Sequence, residues 1–328
     1  RHLVAAAENG KEVTVLMELR ARFDEQNNIA YAELLENSGC TVLYGIENYK
    51  VHSKLCLITR KKKNQLQYFT QIGTGNYNEK TSEQYTDYSY LTAREGIGID
   101  AVNFFQNMAI GQLQGTYEHL LVAPHTLKTQ VLAMIDTEIE KARNQQPAEI
   151  LMKLNSLTDR KIIDRLQEAS SAGVQVRLII RGICCLLPGI PGYTEHVEVH
   201  SIVGRYLEHA RVYCFGSGPY QRIFISSADM MTRNTEKRVE VACPIYEERL
   251  KQRILSDLRI MWSDNVKARR LQSDGSYARL PQSGERIDSQ DQLMRTAILA
   301  AEDASRKQSE EKESLWERVH HRLFSQKK

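Results

Sequence analysis

The sequence lacks the long apolar segments that would anchor it in a membrane. No uninterrupted apolar run approaches the roughly 18 residues that a membrane-spanning helix needs, and the first residues do not form a secretory signal-peptide pattern. We therefore expect a cytoplasmic protein without a transmembrane segment, for which peripheral association with a membrane is the alternative location.

Cysteine is scarce and badly spaced for metal binding. The six cysteines include no Cys-x-x-Cys pair, which argues against a zinc site or a thioredoxin-like redox motif. Most of them lie in apolar, strand-like segments, so we expect reduced, buried thiols of the kind found in cytosolic enzymes. They are Cys40, Cys56, Cys184, Cys185, Cys214 and Cys243.

The chain has no large excess of one charge and no P-loop. Its 44 Lys and Arg against 41 Asp and Glu give a formal net charge of +3, so a site for a polyanion must come from local clustering of cations. The absence of GxxxxGK[ST] excludes a Walker-type kinase, and the GxG in "GTGNYN" lacks the rest of a dinucleotide-binding fingerprint.

What is present is an ordinary globular chain. Its 328 residues, 41% of them hydrophobic and 26% charged, predict about two domains with cores of their own. Helical and strand-like patterns alternate along most of the sequence, which indicates an α/β fold with mixed sheets. The run Lys61, Lys62, Lys63 and Asn64 is expected to be the exposed tip of a hairpin.

The second half of the sequence repeats the first. "IDRLQEASSAGVQVRLIIRG" resembles "RHLVAAAENGKEVTVLMELRAR" in its helix, glycine turn, strand and final arginine. Two copies at this long spacing predict two related α/β domains and not a solenoid. We place the first domain at residues 1–110, a helical connection at 111–147, the second domain at 148–285 and a charged helical tail at 286–328.

Two histidines recur at matching positions of the repeat. His52 is followed by Lys54, and His209 by Arg211. Residues i and i+2 of a strand point to the same face, so we expect each histidine to share a strand face with a cation. Arg22 and Arg181 precede the two histidines at similar intervals.

Two histidines among several cations suit phosphorus chemistry. A neutral imidazole can attack phosphorus, and a second histidine can protonate the departing oxygen. Arginine and lysine stabilise the charge on the remaining phosphate oxygens, which is the main contribution of a protein to phosphoryl transfer. The residues alone therefore predict an enzyme that transfers or cleaves a phosphate group.

Several motifs are similar to those of one family. "VHSKLCLI", "IGTGNYNEKTSEQYTDYSYLTA", "GRYLEHARVYCF" and "SSADMMTRNTEKRVEVACPI" closely resemble the C-terminal half of bacterial polyphosphate kinase, and "ELRARFDE" and "IIRGICCLLPG" match it as well. The resemblance covers about residues 1–285. It implies two duplicated phospholipase D-like α/β domains and reversible transfer of the terminal phosphate of ATP to inorganic polyphosphate through a phosphohistidine.

The resemblance also implies roles for individual residues. His52 matches the phosphorylated histidine, and His209 the second active-site histidine, which also contacts the nucleotide. Tyr85 and Arg181 match nucleotide-contacting positions. Lys54 and Arg211 are expected to bind the same ligands.

Arg22 matches an arginine of the magnesium-phosphate site. A cation cannot ligate Mg²⁺, so it would act through phosphate. The expected ligands are therefore ATP or ADP, polyphosphate and Mg²⁺, with no nucleic acid. The resemblance also implies a homo-oligomer, a dimer or larger.

Departures from the wider phospholipase D pattern, HxKxxxxD, favour the kinase reading. Thr59 and Gly216 stand where that pattern has Asp, and Arg211 stands where it has Lys. The alternative is a phosphodiesterase or nuclease of the phospholipase D superfamily, which would pass the same intermediate to water. A third possibility is a module that binds polyanions without catalysis.

The repeat also suggests what precedes the chain. The second copy opens with the strand-like "EILMKLNSL", whereas the first copy opens at its helix. We therefore expect a C-terminal fragment whose first domain has lost a strand upstream of Arg1. The resemblance implies further N-terminal domains. Expressed alone, these residues are expected to be poorly soluble and to show little or no autophosphorylation.

Overall fold

The computed structural model of the chain describes residues 1–19, 25–282 and 284–324. Arg22 lies outside the described residues, and its role stays a prediction. The helices are α1 (His2–Glu8), α2 (Glu25–Asn37), α3 (Glu79–Ser82), α4 (Glu95–Ala109), α5 (Leu127–Arg143), α6 (Arg160–Ser171), α7 (Thr232–Glu236), α8 (Glu248–Trp262) and α9 (Ser289–Phe324).

The strands are β1 (Thr14–Leu16), β2 (Thr41–Leu43), β3 (Lys50–Val51), β4 (Leu55–Lys62), β5 (Gln65–Gly73), β6 (Tyr85–Thr86), β7 (Ser89–Thr92), β8 (Leu121–Ala123), β9 (Glu149–Leu154), β10 (Gln175–Ile180), β11 (Val197–Ile202), β12 (Leu207–Glu208), β13 (Arg211–Phe215), β14 (Arg222–Ser226), β15 (Arg238–Pro244), β16 (Ala268–Leu271) and β17 (Tyr277–Arg279).

A mixed sheet of ten strands forms the centre of the protein. Its order is β17–β16–β11–β10–β9–β13–β14–β15–β3, with β8 paired to β15. β9, β10 and β11 run parallel, whereas β13 is antiparallel to β9. Parallel strands require both faces to be covered. Apolar residues of α5 and α6 pack on one face, and those of α4 and α8 on the other.

Successive side chains of the central strand β13 pack alternately into these two cores. In β13, Tyr213 and Phe215 pack with α5 and α6, whereas Val212 and Cys214 pack with α4 and α8. All four are buried. Phe104 of α4 belongs to the second of these cores, so the two halves of the chain share it.

The first half adds two small sheets. β1 and β2 form a parallel pair, and β4, β5 and β7 form an antiparallel sheet. The predicted hairpin is confirmed: Lys63 and Asn64 turn from β4 into β5 with φ of 46° and 64°, the left-handed values that a two-residue hairpin turn favours. Gly98 of α4 lies so close to β5 that a Cβ there would meet the Tyr68 Cβ at 2.2 Å.

The repeat is visible in the fold. α1 leads through Gly10 into β1, and α6 leads through Gly173 into β10, with φ of 73° and 98° at the two glycines. The β4–β5 hairpin corresponds to the antiparallel pair β13–β14. The expected class, duplicated α/β units with mixed sheets and a C-terminal helix, is confirmed. The domain boundaries remain predictions.

The prediction that the two histidines lie within strands is wrong. His52 follows the two-residue strand β3 and precedes β4, and His209 stands between β12 and β13. β3 pairs in parallel with β15, and β12 pairs in parallel with β6. Each histidine is therefore the first residue after a short parallel pairing, a position that local alternation cannot reveal.

The expectation of buried thiols is only partly right. All six cysteines are free, and Cys40, Cys214 and Cys243 are buried. Cys56 and Cys185 are exposed because they lie where β4 and the loop after β10 face solvent.

The predicted C-terminal helix, α9, begins inside the protein. Ser289 is fully buried, and its backbone NH and hydroxyl donate to Asp264 at 2.8 and 2.7 Å. No helix of the described ranges is both long and apolar enough to span a membrane. The first turn of α9 is thus bonded to the second half of the chain through Asp264.

Candidate active site

Glu240 lies beside His52 because of the β3–β15 pairing. Val51 is opposite Val239 in this parallel pair. The next residues on the two strands are His52 and Glu240, so the imidazole lies against the carboxylate. His52 Nδ1 lies 2.9 Å from Glu240 Oε2. The Glu240 side chain is fully buried, and that of His52 is 18% exposed.

The same arrangement holds His209. In the β12–β6 pairing Glu208 is opposite Thr86, so His209 meets Asp87. His209 Nδ1 lies 2.9 Å from one Asp87 oxygen and 3.0 Å from the other. The Asp87 side chain is 22% exposed.

Both carboxylates are held in place by further donors. Asn234 Nδ2 donates to Glu240 Oε1 at 2.6 Å, and the Ser227 hydroxyl donates to Oε2. The Thr74 hydroxyl donates to Asp87 at 2.6 Å. Such bonds fix the orientation of each carboxylate and, through it, the tautomer of each histidine.

Sequence reasoning missed both carboxylates. Neither Asp87 nor Glu240 is among the site residues that the sequence predicts. A usable signal existed for Glu240: an acid inside the otherwise apolar strand "RVEVACP" is rarely buried without a specific partner.

The two histidines are kept neutral. Burial lowers the pKa of His52, and Lys54 and Arg211 lower it further, against an opposing effect of Glu240. Burial also lowers the pKa of His209, helped by Arg211 and opposed by Asp87. A neutral imidazole has the lone pair that attack on phosphorus requires.

Lys54 is buried beside His52. Its ammonium group donates to the carbonyl of His52, and burial lowers its pKa to about 7, an effect that Glu240 opposes and Arg211 reinforces. Lys54 also contributes to lowering the pKa of His209. The two halves of the repeat therefore share one electrostatic environment.

Arg211 is the cation of the second half. It is 4% exposed, and its NH2 donates to Asp229 Oδ2 at 3.0 Å while its NH1 lies 3.1 Å from His209 Nε2. Although burial lowers its pKa, Asp229 raises it above the usual value. Its Nε is buried without a hydrogen-bond partner among the described residues. Arg211 thus stays charged at the second histidine.

Tyr85 and Arg181 lie next to His209 and its neighbour Glu208, and their expected contact with the nucleotide stays a prediction. The rings of Tyr85 and His209 lie 5.0 Å apart and are tilted by 45°. Arg181 Nε donates to Asn155 Oδ1 at 2.5 Å and to the Glu208 carbonyl at 2.9 Å. Burial lowers its pKa. The structure thus brings together every predicted site residue that it describes.

The residues near the histidines do not form a metal cage. Within residues 1–19, 25–282 and 284–324 no group of three or more His, Cys, Asp or Glu could hold a metal ion. Glu240, Asp87 and Asp229 are each engaged by a histidine or an arginine. A divalent cation that accompanies a phosphate ligand here would have to be bound chiefly by phosphate oxygens and water, as Mg²⁺ often is in proteins.

Comparisons with known proteins agree with this geometry. Residues 1–114 match the family model "Polyphosphate kinase C-terminal domain 1", and residues 120–290 match "Polyphosphate kinase C-terminal domain 2". A polyphosphate kinase of Bacillus anthracis is 48% identical over 296 residues, which are 90% of this chain and 42% of that protein. The chain therefore spans less than half the length of such relatives.

Solved structures extend the comparison. The crystal structure of a polyphosphate kinase from Porphyromonas gingivalis matches with a TM-score of 0.83 and 35% identity, over 92% of this chain and 46% of that one. Phosphatidylserine synthase of Haemophilus influenzae shares the fold alone, with a TM-score of 0.57 and 11% identity over 92% of this chain and 84% of its own. The chain belongs to the polyphosphate kinase family and carries both of its C-terminal domains.

Proposed function

We propose that the protein moves the terminal phosphate of ATP to inorganic polyphosphate, and back, through a phosphohistidine at His52. The observation that carries the proposal is the pair of neutral histidines, each bound to a carboxylate through Nδ1 and each accompanied by a buried cation. With Nδ1 turned to Glu240, Nε2 is the nitrogen of His52 that attacks.

In the proposed first half-reaction His52 is the nucleophile. The Nε2 lone pair of His52 attacks the γ-phosphorus of ATP, the bond from that phosphorus to the β,γ-bridging oxygen breaks, and ADP leaves with the bonding electrons. The ring becomes cationic and keeps its proton on Nδ1, where Glu240 stabilises the charge.

In the second half-reaction the end of a polyphosphate chain takes the phosphate. A terminal oxygen attacks the phosphorus, the P–N bond breaks, and neutral His52 is restored with a chain one phosphate longer. The same steps run backwards because a P–N bond and a phosphoanhydride are similar in energy.

His209 is proposed to supply a proton to the departing oxygen. Its lowered pKa leaves it neutral in the free protein, and the negative charge of bound phosphates favours its protonated form. Arg211 and Lys54 would bind phosphate oxygens, and Tyr85 and Arg181 would bind the nucleotide. Mg²⁺ would accompany the phosphates and neutralise part of their charge. A cytoplasmic location and a homo-oligomer belong to the same proposal.

The test uses the full-length protein with γ-labelled ATP and Mg²⁺. We expect acid-labile label on the protein that ADP or polyphosphate removes. His52→Ala should abolish the label, whereas His196→Ala, a change at an exposed histidine, should not. If the His52→Ala protein still becomes labelled, His52 is not the phosphorylated histidine. Cleavage of phosphodiesters without label would indicate the phosphodiesterase alternative, and binding without either reaction would indicate a polyanion-binding module.

A further inference from the structure

A second cationic cavity lies next to the active site. It encloses about 230 Å³, and Arg181, Lys267 and Arg269 line it together with Ser201 and Tyr277. Its cations come from two separate places in the sequence, after β10 and at the start of β16, which explains why no linear motif marks it.

The cavity adjoins the site around His209 through one shared residue, Arg181. Arg181 belongs to both, because its Nε bonds Asn155 and the Glu208 carbonyl while the side chain lines the cavity. Asn155, Arg181 and Ser201 lie at the carboxyl ends of β9, β10 and β11. Ligands of α/β sheets bind at this edge of parallel strands.

Lys267 and Arg269 have no carboxylate partner. Within the part of the chain that the structure describes, no acidic residue lines the cavity, and none lies within 4.0 Å of the charged group of either side chain. Arg269 NH1 donates instead to the carbonyls of Lys267 and Ala268, at 3.3 and 3.1 Å, which fixes the guanidinium and leaves its charge.

The next residue gives the contrast. Arg270 does not line the cavity and is paired with Glu198 at 3.4 Å. The two adjacent arginines of β16 thus differ. Arg270 has a carboxylate partner, whereas Arg269 faces a cavity that no carboxylate of the described residues lines. Uncompensated cations around a concave site are the usual arrangement for binding an anion.

We propose that this cavity binds successive phosphates of the polyphosphate chain, beyond the phosphate that reacts at His52. The proposal rests on the proposed function, which supplies the ligand. Three cations beside Val203 and Tyr277 suit a run of phosphates better than a nucleoside. Because Arg181 is shared, a chain that leaves the reacting centre can pass from it to Arg269 and Lys267.

The test measures equilibrium binding to the full-length protein without turnover, with a long polyphosphate, tripolyphosphate and ATP as separate ligands. Lys267→Glu and Arg269→Gln should each weaken binding of the long chain about tenfold, the usual scale for one charged contact. Binding of tripolyphosphate and ATP should change less than about twofold, because neither extends past the reacting centre. Arg270→Gln is the matched control and should change none of the three affinities.

Each outcome decides the proposal. Equal effects of Lys267→Glu and Arg270→Gln on the long chain would overturn it. Loss of ATP affinity with unchanged affinity for the long chain would give the cavity to the nucleotide instead. Arg269→Lys keeps the charge and should retain most of the affinity, which guards against a folding defect in Arg269→Gln. If the His52 labelling experiment fails but these binding results hold, the proposed phosphotransfer reaction is wrong and the proposed binding of polyphosphate in the cavity stands.

Discussion

Glu240, from the second half of the chain, lies 2.9 Å from Nδ1 of His52 in the first half. The exchange is mutual, since Asp87 of the first half binds His209 of the second at the same distance. Neither half therefore contains a complete histidine–carboxylate pair. The duplicated sequence forms one site only when its halves are assembled.

Glu240→Gln tests the first of these pairs. A glutamine amide would donate to Nδ1 of His52 and move the ring proton to Nε2, the attacking nitrogen. We expect the rate of phosphohistidine formation to fall by about 100-fold or more, measured in a single turnover with labelled ATP. Glu236→Gln, at a partly exposed carboxylate of α7, is the control, and similar rates for the two variants would contradict the role of Glu240.

His209→Ala tests whether His209 is the proton donor, as proposed. Removing a general acid costs about 10²–10⁴ in rate, so label transfer should slow by that factor in both directions. The forward direction is followed as loss of label to polyphosphate, and the reverse as its loss to ADP. A defect confined to ATP binding would instead make His209 only a nucleotide contact.

Lys54 predicts a specific dependence of stability on pH. Its pKa is about 7 in the folded protein and near 10.5 when unfolded, so the unfolded chain binds more protons between these values and stability rises with pH across that window. Relative to Lys54→Met, the free energy of unfolding of the wild type should gain about 2 kcal/mol between pH 7 and pH 9.

Denaturant unfolding at the two pH values measures this difference. Lys61→Met, at the exposed hairpin tip, should show no such gain. A wild-type advantage that is independent of pH would mean that Lys54 keeps its ordinary pKa.

Arg181→Lys should impair turnover although the charge is kept. A single ammonium group cannot both replace the Nε bonds to Asn155 and Glu208 and bind phosphate in a bidentate manner. Arg22→Lys is expected to act in the same way. Arg177→Lys is the control, because Arg177 is an exposed residue of β10, the strand that leads directly into Arg181. Equal kcat/KM for all the variants at matched Mg²⁺ would show that only overall charge matters.

Tyr85→Phe separates a hydroxyl contact from ring stacking. The ring lies against His209, and phenylalanine would keep that packing. An increased KM for ATP is expected if the hydroxyl binds the nucleotide, as the family resemblance implies. An unchanged KM would leave packing or stacking as the role of Tyr85.

The sequence predicted the parts of the site that are local. The motif of histidine, any residue and cation, repeated in both halves, identified His52 and His209, and the helix–glycine–strand pattern identified the repeat. The carboxylates were missed because His52 and Glu240 are 188 residues apart, and His209 and Asp87 are 122 apart. Parallel pairings two residues long bring them together, and strands of that length leave no periodic pattern.

The attachment of α9 has a mechanical consequence. Gln290, in its first turn, donates to Glu208 Oε1 at 2.7 Å and also bonds both backbone groups of Tyr206. Glu208 immediately precedes His209. A helix of 36 residues is about 54 Å long at 1.5 Å per residue. Because its first turn is bonded to Tyr206 and Glu208, a displacement of α9 at its start would also displace the residue that precedes His209.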